Sequence, residues 1–90
     1  MSWAVSDAAL RLHDAAYRIE CAWEDEQPVT RAMCLYYHQA LDAAMGTMPA
    51  EHFQAEANRL RSWLASGAIP ESGKAWAEAT ASTLDKGSQR

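Results

Sequence analysis

The stretch "VSDAALRLHDAAYRIECAWE", residues 5–24, decides how this chain folds. Its apolar residues Val5, Ala9, Leu12, Ala16, Ile19 and Trp23 recur at a 4-3-4-3-4 spacing. That spacing is one face of an α-helix and is incompatible with the alternation of a strand. It predicts a helix over about 3–24, with Ser2 or Ser6 as its N-cap.

The same period continues outward. Val29, Met33, Tyr36, Tyr37, Ala40 and Ala44 predict the inner face of a second helix over 29–45, stopped by Gly46. Pro49 suits the first position of a third helix, lined by Phe53, Ala57, Leu60 and Leu64 and ended by Gly67. A fourth helix is weaker, over about 72–85. Its contacts are Trp76, Thr80 and Leu84, and Ser and Thr dilute its apolar face. β-branched residues are scarce, so no strand is expected. The fold class this implies is all-α: a compact bundle of four short helices, or three with a loosely packed C-terminal helix. A single domain over 1–86 is expected, with 87–90 as a frayed tail.

Composition sets the quality of the core. Hydrophobic residues make up 49% of the 90, but 19 are Ala, and Leu, Ile, Val and Phe together number only 12. Four Trp, three Tyr and four Met supply the missing bulk. The expected core is thin, with helices close-packed through Ala and pinned by a few large rings. A domain of this size is marginal and gains from a partner or from dimerisation.

Several classes are argued against. No apolar run reaches the length of a membrane span. The start, "MSWAVSDAAL", carries Asp7 and no basic segment, unlike a signal peptide. Two cysteines are too few for a disulfide scaffold. The expected compartment is the cytoplasm. A net charge of −4 does not favour nucleic acid or anionic lipid.

Chemistry-bearing constellations are sparse. Cys34 and His38, four apart, share a helical side, but Cys21 sits nearly opposite the core stripe of its own helix. Cys34 and His38 are expected off the inner face of theirs. No metal and no cofactor is therefore expected. His38 with Asp42 and His52 with Glu56 are spaced to orient an imidazole, a spacing equally common for plain helix-surface pairs. There is no nucleophile on a sharp turn and no Gly-rich phosphate loop, so the chain is not expected to be an enzyme.

The first helix carries a second apolar stripe. Trp3, Leu10, Tyr17 and Cys21 fall within roughly 40° of one another, far around the helix from the first stripe. Either the first helix is buried on both sides or this stripe meets a partner. Beside it, "ECAWEDEQP" at 20–28 packs four acids into seven residues. Glu20 and Glu24 oppose the dipole at a helix C-terminus, at about 0.3–1 kcal/mol each, whereas Asp25 and Glu26 suit the N-terminus of the next helix. The acids are thus either a solvated junction or part of a docking face. The candidate partner-binding residues are Trp3, Leu10, Tyr17, Glu20, Glu24, Asp25 and Glu26. A secondary surface is His52, Glu56, Arg59 and Trp63.

The function expected from this reading is non-catalytic: a small acidic helical protein that binds another protein or protein complex. A stoichiometric inhibitor or adaptor of the phage or mobile-element kind fits the size and charge, and anti-CRISPR proteins are one such class. The alternative is a structural homodimer joined through the outer stripe. A small DNA-binding or DNA-mimicking protein is weaker, because eight bases offset twelve acids.

Overall fold

The structure is a computed structural model that describes residues 2–88. It is 82% helical, with four helices and no strand among the described residues, so the chain is all-α. The helices are α1 (Asp7–Glu24), α2 (Arg31–Met45), α3 (Ala50–Ser66) and α4 (Lys74–Ser88). Short 3₁₀ turns at Trp3–Val5 and Glu71–Gly73 precede α1 and α4. The chain divides into two compact units, one up to Thr47 and one from Met48.

The first unit is the α1–α2 hairpin. The first helix was expected from residue 3, but α1 begins at Asp7. Ser6 adopts an extended backbone, φ −71° and ψ 158°, and its hydroxyl accepts the Ala9 N–H at 3.3 Å. A strong N-cap in the run thus divides it, and Val5 falls outside α1 and is 53% exposed. Trp23 also leaves the expected core row, at 45% exposed, because Ala15 and Ala22 bury beside Ala9, Leu12, Ala16 and Ile19. The buried face of α1 is narrower in volume than expected and more alanine-rich.

The second helix starts at Arg31, capped by the Thr30 hydroxyl on the Met33 N–H at 3.2 Å. Its buried face is Cys34, Tyr37, Ala40, Leu41 and Ala44. Val29, Met33 and Tyr36 are only half-buried. The helix is therefore rotated relative to the sequence expectation, and Cys34, expected off the inner face, lies in the core. Burial raises the Cys34 thiol pKa above its ordinary value. The hairpin is antiparallel, because Trp3 Nε1 donates to Thr47 Oγ1 at 3.1 Å and Tyr36 donates to Asp14 Oδ2 at 3.0 Å.

The second unit is the α3–α4 hairpin. Pro49, expected at the first helical position, is instead the N-cap of α3, which begins one residue later at Ala50. Gly67 ends α3 in the left-handed region, φ 87°, and the Ala68 N–H returns to the Trp63 carbonyl at 3.0 Å. That is a Schellman close, and the positive φ is why glycine stands there. Ala68 and Ile69 then bury in the connection. The buried residues of α3 are Glu56, Ala57, Leu60 and Trp63, and those of α4 are Ala77, Ala81 and Leu84. Phe53, Leu64, Trp76 and Thr80, expected as core contacts, are half-buried.

The fourth helix runs on to Ser88, past the expected end at 85. Gly87 has no side chain, which lets α4 approach the Phe53 ring closely: a Cβ there would stand 3.1 Å from Phe53 Cδ1. Ser88 Oγ bonds the Asp85 carbonyl at 2.8 Å, and Arg61 forms a two-pronged pair with Asp85. Residues 89 and 90 of the expected frayed tail lie outside the described residues.

Candidate functional site

The outer side of α1 carries the candidate site. Once Ser6 fixes the start of the helix, 100° per residue turns Leu12, Ala16 and Ile19 inward and Leu10, Tyr17 and Cys21 outward. Leu10 is 54% exposed and Tyr17 59%. The double-sided burial considered for the first helix therefore does not occur at these two positions. Cys21 is half-buried beside them.

Trp3 does not extend this row. It lies in the 3₁₀ turn before α1, half-buried, with its indole N–H on Thr47. The row instead gains His13, which the sequence reading passed over. Its ring stacks on Tyr17 with centroids 6.3 Å apart and planes 19° from parallel. The four-residue spacing was the available signal.

The electrostatics around Tyr17 are set by its neighbours. The neighbouring Cys21 side chain, chiefly, raises its phenol pKa above the ordinary value, and nearby Glu24 and Asp25 push the same way. Like any tyrosine phenol at neutral pH, it is protonated and can donate a hydrogen bond. On the flank, Arg18 Nε bonds Asp14 Oδ2 at 3.0 Å while its guanidinium carbon lies 5.2 Å from the centre of the Tyr36 ring. Asp14 also receives the Tyr36 hydroxyl, so this carboxylate is engaged on two sides. The Arg18–Tyr36 stack joins two helices and has no signature in local spacing.

The acids of the junction sit where α1 ends. Glu24, Asp25 and Glu26 are exposed, and Glu20 is half-buried. The chain reverses through a Schellman close: the Glu26 N–H reaches the Trp23 carbonyl at 3.2 Å and the Gln27 N–H reaches Ala22 at 2.8 Å. Glu26 occupies the left-handed position, φ 58°, where Gly67 stands in the other hairpin. Two open depressions flank this end. Trp23, Glu24, Glu26, Gln27 and Pro28 line one. Tyr17, Arg18, Cys21, Ala22, Asp25, Gln27 and Met33 line the other.

The expected secondary surface is not assembled. Trp63 is 6% exposed and Glu56 8%, so both belong to the interior of their unit. Glu56 Oε1 accepts from Arg59 Nη1 at 2.9 Å, which neutralises the buried carboxylate. Arg59 and His52 remain half-exposed at the edge. The reason is register: Trp63 lies three residues past Leu60 and follows it inward.

For metal chemistry, Cys34 is buried, while Cys21 and His38 are half-buried. Among the described residues, no three His, Cys, Asp or Glu side chains gather closely enough to hold an ion. His38 Nε2 lies 3.1 Å from Asp42 Oδ2, as its spacing implied. No helix among the described residues is long and apolar enough to cross a membrane. No protein-family model, no curated protein and no solved structure matches the chain.

Proposed function

We propose that this chain is a small acidic helical protein that binds another protein through the outer side of α1, as a stoichiometric inhibitor or adaptor. The observation that carries the reading is the exposure of Leu10 and Tyr17, at 54% and 59%, two helical turns apart on one face. A helix of a lone domain turns one apolar stripe inward and a polar back to water. Here the back holds a Leu, a Tyr stacked on His13 and a half-buried Cys, rimmed by Asp14, Glu24 and Asp25. Apolar and aromatic residues inside a charged rim are the make-up of protein interfaces.

Leu10→Asp tests the reading. Surface changes shift stability by no more than about 0.5 kcal/mol, so the helical circular dichroism and melting temperature should hold. Capture of the natural partner should be lost, because the new carboxylate would be desolvated against an apolar surface. A variant that binds as the parent does overturns the proposal. Light scattering separates the remaining alternative, since a dimer of the pure protein that Leu10→Asp dissociates would make the outer face a self-association seam.

A further inference from the structure

We infer that the depression at the C-terminal end of α1 seats an arginine or lysine side chain from a basic segment of the partner protein. The inference rests on the proposed partner-binding role of α1 and adds the partner's chemistry. The depression is an open groove whose apolar wall is Trp23, 45% exposed, with Pro28. Its other walls are Glu24, Glu26 and Gln27. Among the described residues, Glu24, Asp25 and Glu26 have no cationic side chain within ion-pair distance.

Charge complementarity fixes the occupant. An exposed indole face attracts a cation, best of the aromatic rings. Two carboxylates on the same groove accept the N–H groups of a guanidinium or ammonium, and such charge-assisted bonds are the strong kind. An acidic segment would meet the two unpaired carboxylates of Glu24 and Glu26, and a purely apolar one would desolvate them, so both are disfavoured. The groove lies on the helix that presents Leu10 and Tyr17. Trp23 stands about 120° around α1 from Tyr17, and Gln27 lines both this groove and the depression beside Tyr17 and Cys21, so a basic segment seated on the outer row reaches Trp23 by crossing the end of α1 at Gln27.

The test is a titration with a short amphipathic peptide of Leu and Arg, followed by amide and indole chemical shifts. Its counterpart has Glu in place of Arg. Shifts should centre on the Trp23 indole N–H and on residues 24–27, appear only with the Arg peptide, and shrink as salt rises. Glu24→Gln with Glu26→Gln should weaken binding roughly tenfold with the melting temperature preserved or raised. Glu51→Gln with Glu78→Gln removes the same charge from exposed positions on α3 and α4 and should leave binding unchanged. Equal loss in that control, equal binding of the Glu peptide, or shifts centred elsewhere overturns the inference. So does a dimer of the pure protein that Trp23→Ala dissociates, which would make a second copy the occupant. If Leu10→Asp abolishes capture of the natural partner while the Glu24/Glu26 variant does not, the cation seat fails and the partner-binding role stands. If neither variant alters capture, both fail.

Discussion

Two residues hold the same backbone conformation in the two hairpins, and only one of them is suited to it. Gly67 ends α3 at φ 87°, and Glu26 follows α1 at φ 58°; in both, the next residue's N–H returns to the carbonyl five residues back. The left-handed conformation costs a residue with a Cβ about 1–2 kcal/mol. Glu26 also sets a carboxylate against the negative end of the α1 dipole. Glu26→Gly should therefore stabilise the protein, by about 0.5–1 kcal/mol after the added entropy of an unfolded glycine is deducted. Thermal melting should show a rise of roughly 2–8 °C. A fall would mean that the Glu26 side chain makes stabilising contacts that outweigh its backbone strain. Gly67 was legible as a stop because glycine is the expected residue at such a close. The matching role of Glu26 was not, since nothing in a glutamate marks a positive φ.

The helices themselves were legible because their apolar residues recur at the helical period and their stops are explicit in Gly46, Pro49 and Gly67. What periodicity could not supply was register. Small alanines on several sides of each helix blur the inner face, and packing then selects Cys34 and Leu41 over Met33 and Tyr36, and Trp63 over Leu64. Pairings between helices were equally invisible. Arg61 and Asp85 stand 24 residues apart and lock α3 to α4. The hydrogen bond from Arg61, chiefly, holds the Asp85 carboxyl below its ordinary pKa. A depressed carboxyl pKa contributes stability that is present above the unfolded value, near pH ~4, and lost as pH falls through the folded value. The parent's melting temperature should thus fall more steeply below about pH 4 than that of Asp85→Asn, which should be the less stable of the two at neutral pH. Parallel acid limbs for the two proteins would show that the pair contributes nothing measurable, as many exposed pairs do.

Across the whole molecule, the large fully buried side chains are few: Tyr37, Ile19 and Leu41 in the first unit, Leu60, Ile69 and Leu84 in the second. Half of the buried apolar positions are alanines, which bring helices close but bury little area apiece. Each large residue accordingly carries an outsized share of stability. For 90 residues the total lies near 5–13 kcal/mol, at ~0.05–0.15 kcal/mol per residue. Truncating a buried leucine to alanine removes about 2–5 kcal/mol through lost transfer energy and the cavity left behind. Leu60→Ala, at a position 0% exposed, should lower the melting temperature by roughly 10–30 °C, and Leu41→Ala should do the same. Leu10→Ala should move it by only a few degrees, since Leu10 is 54% exposed. The three leucines look alike in the sequence, and only the turn of each helix separates the two that hold the fold from the one left facing water. If Leu10→Ala destabilised as much as Leu60→Ala, the outer side of α1 would be core and the case for a docking face there would be gone.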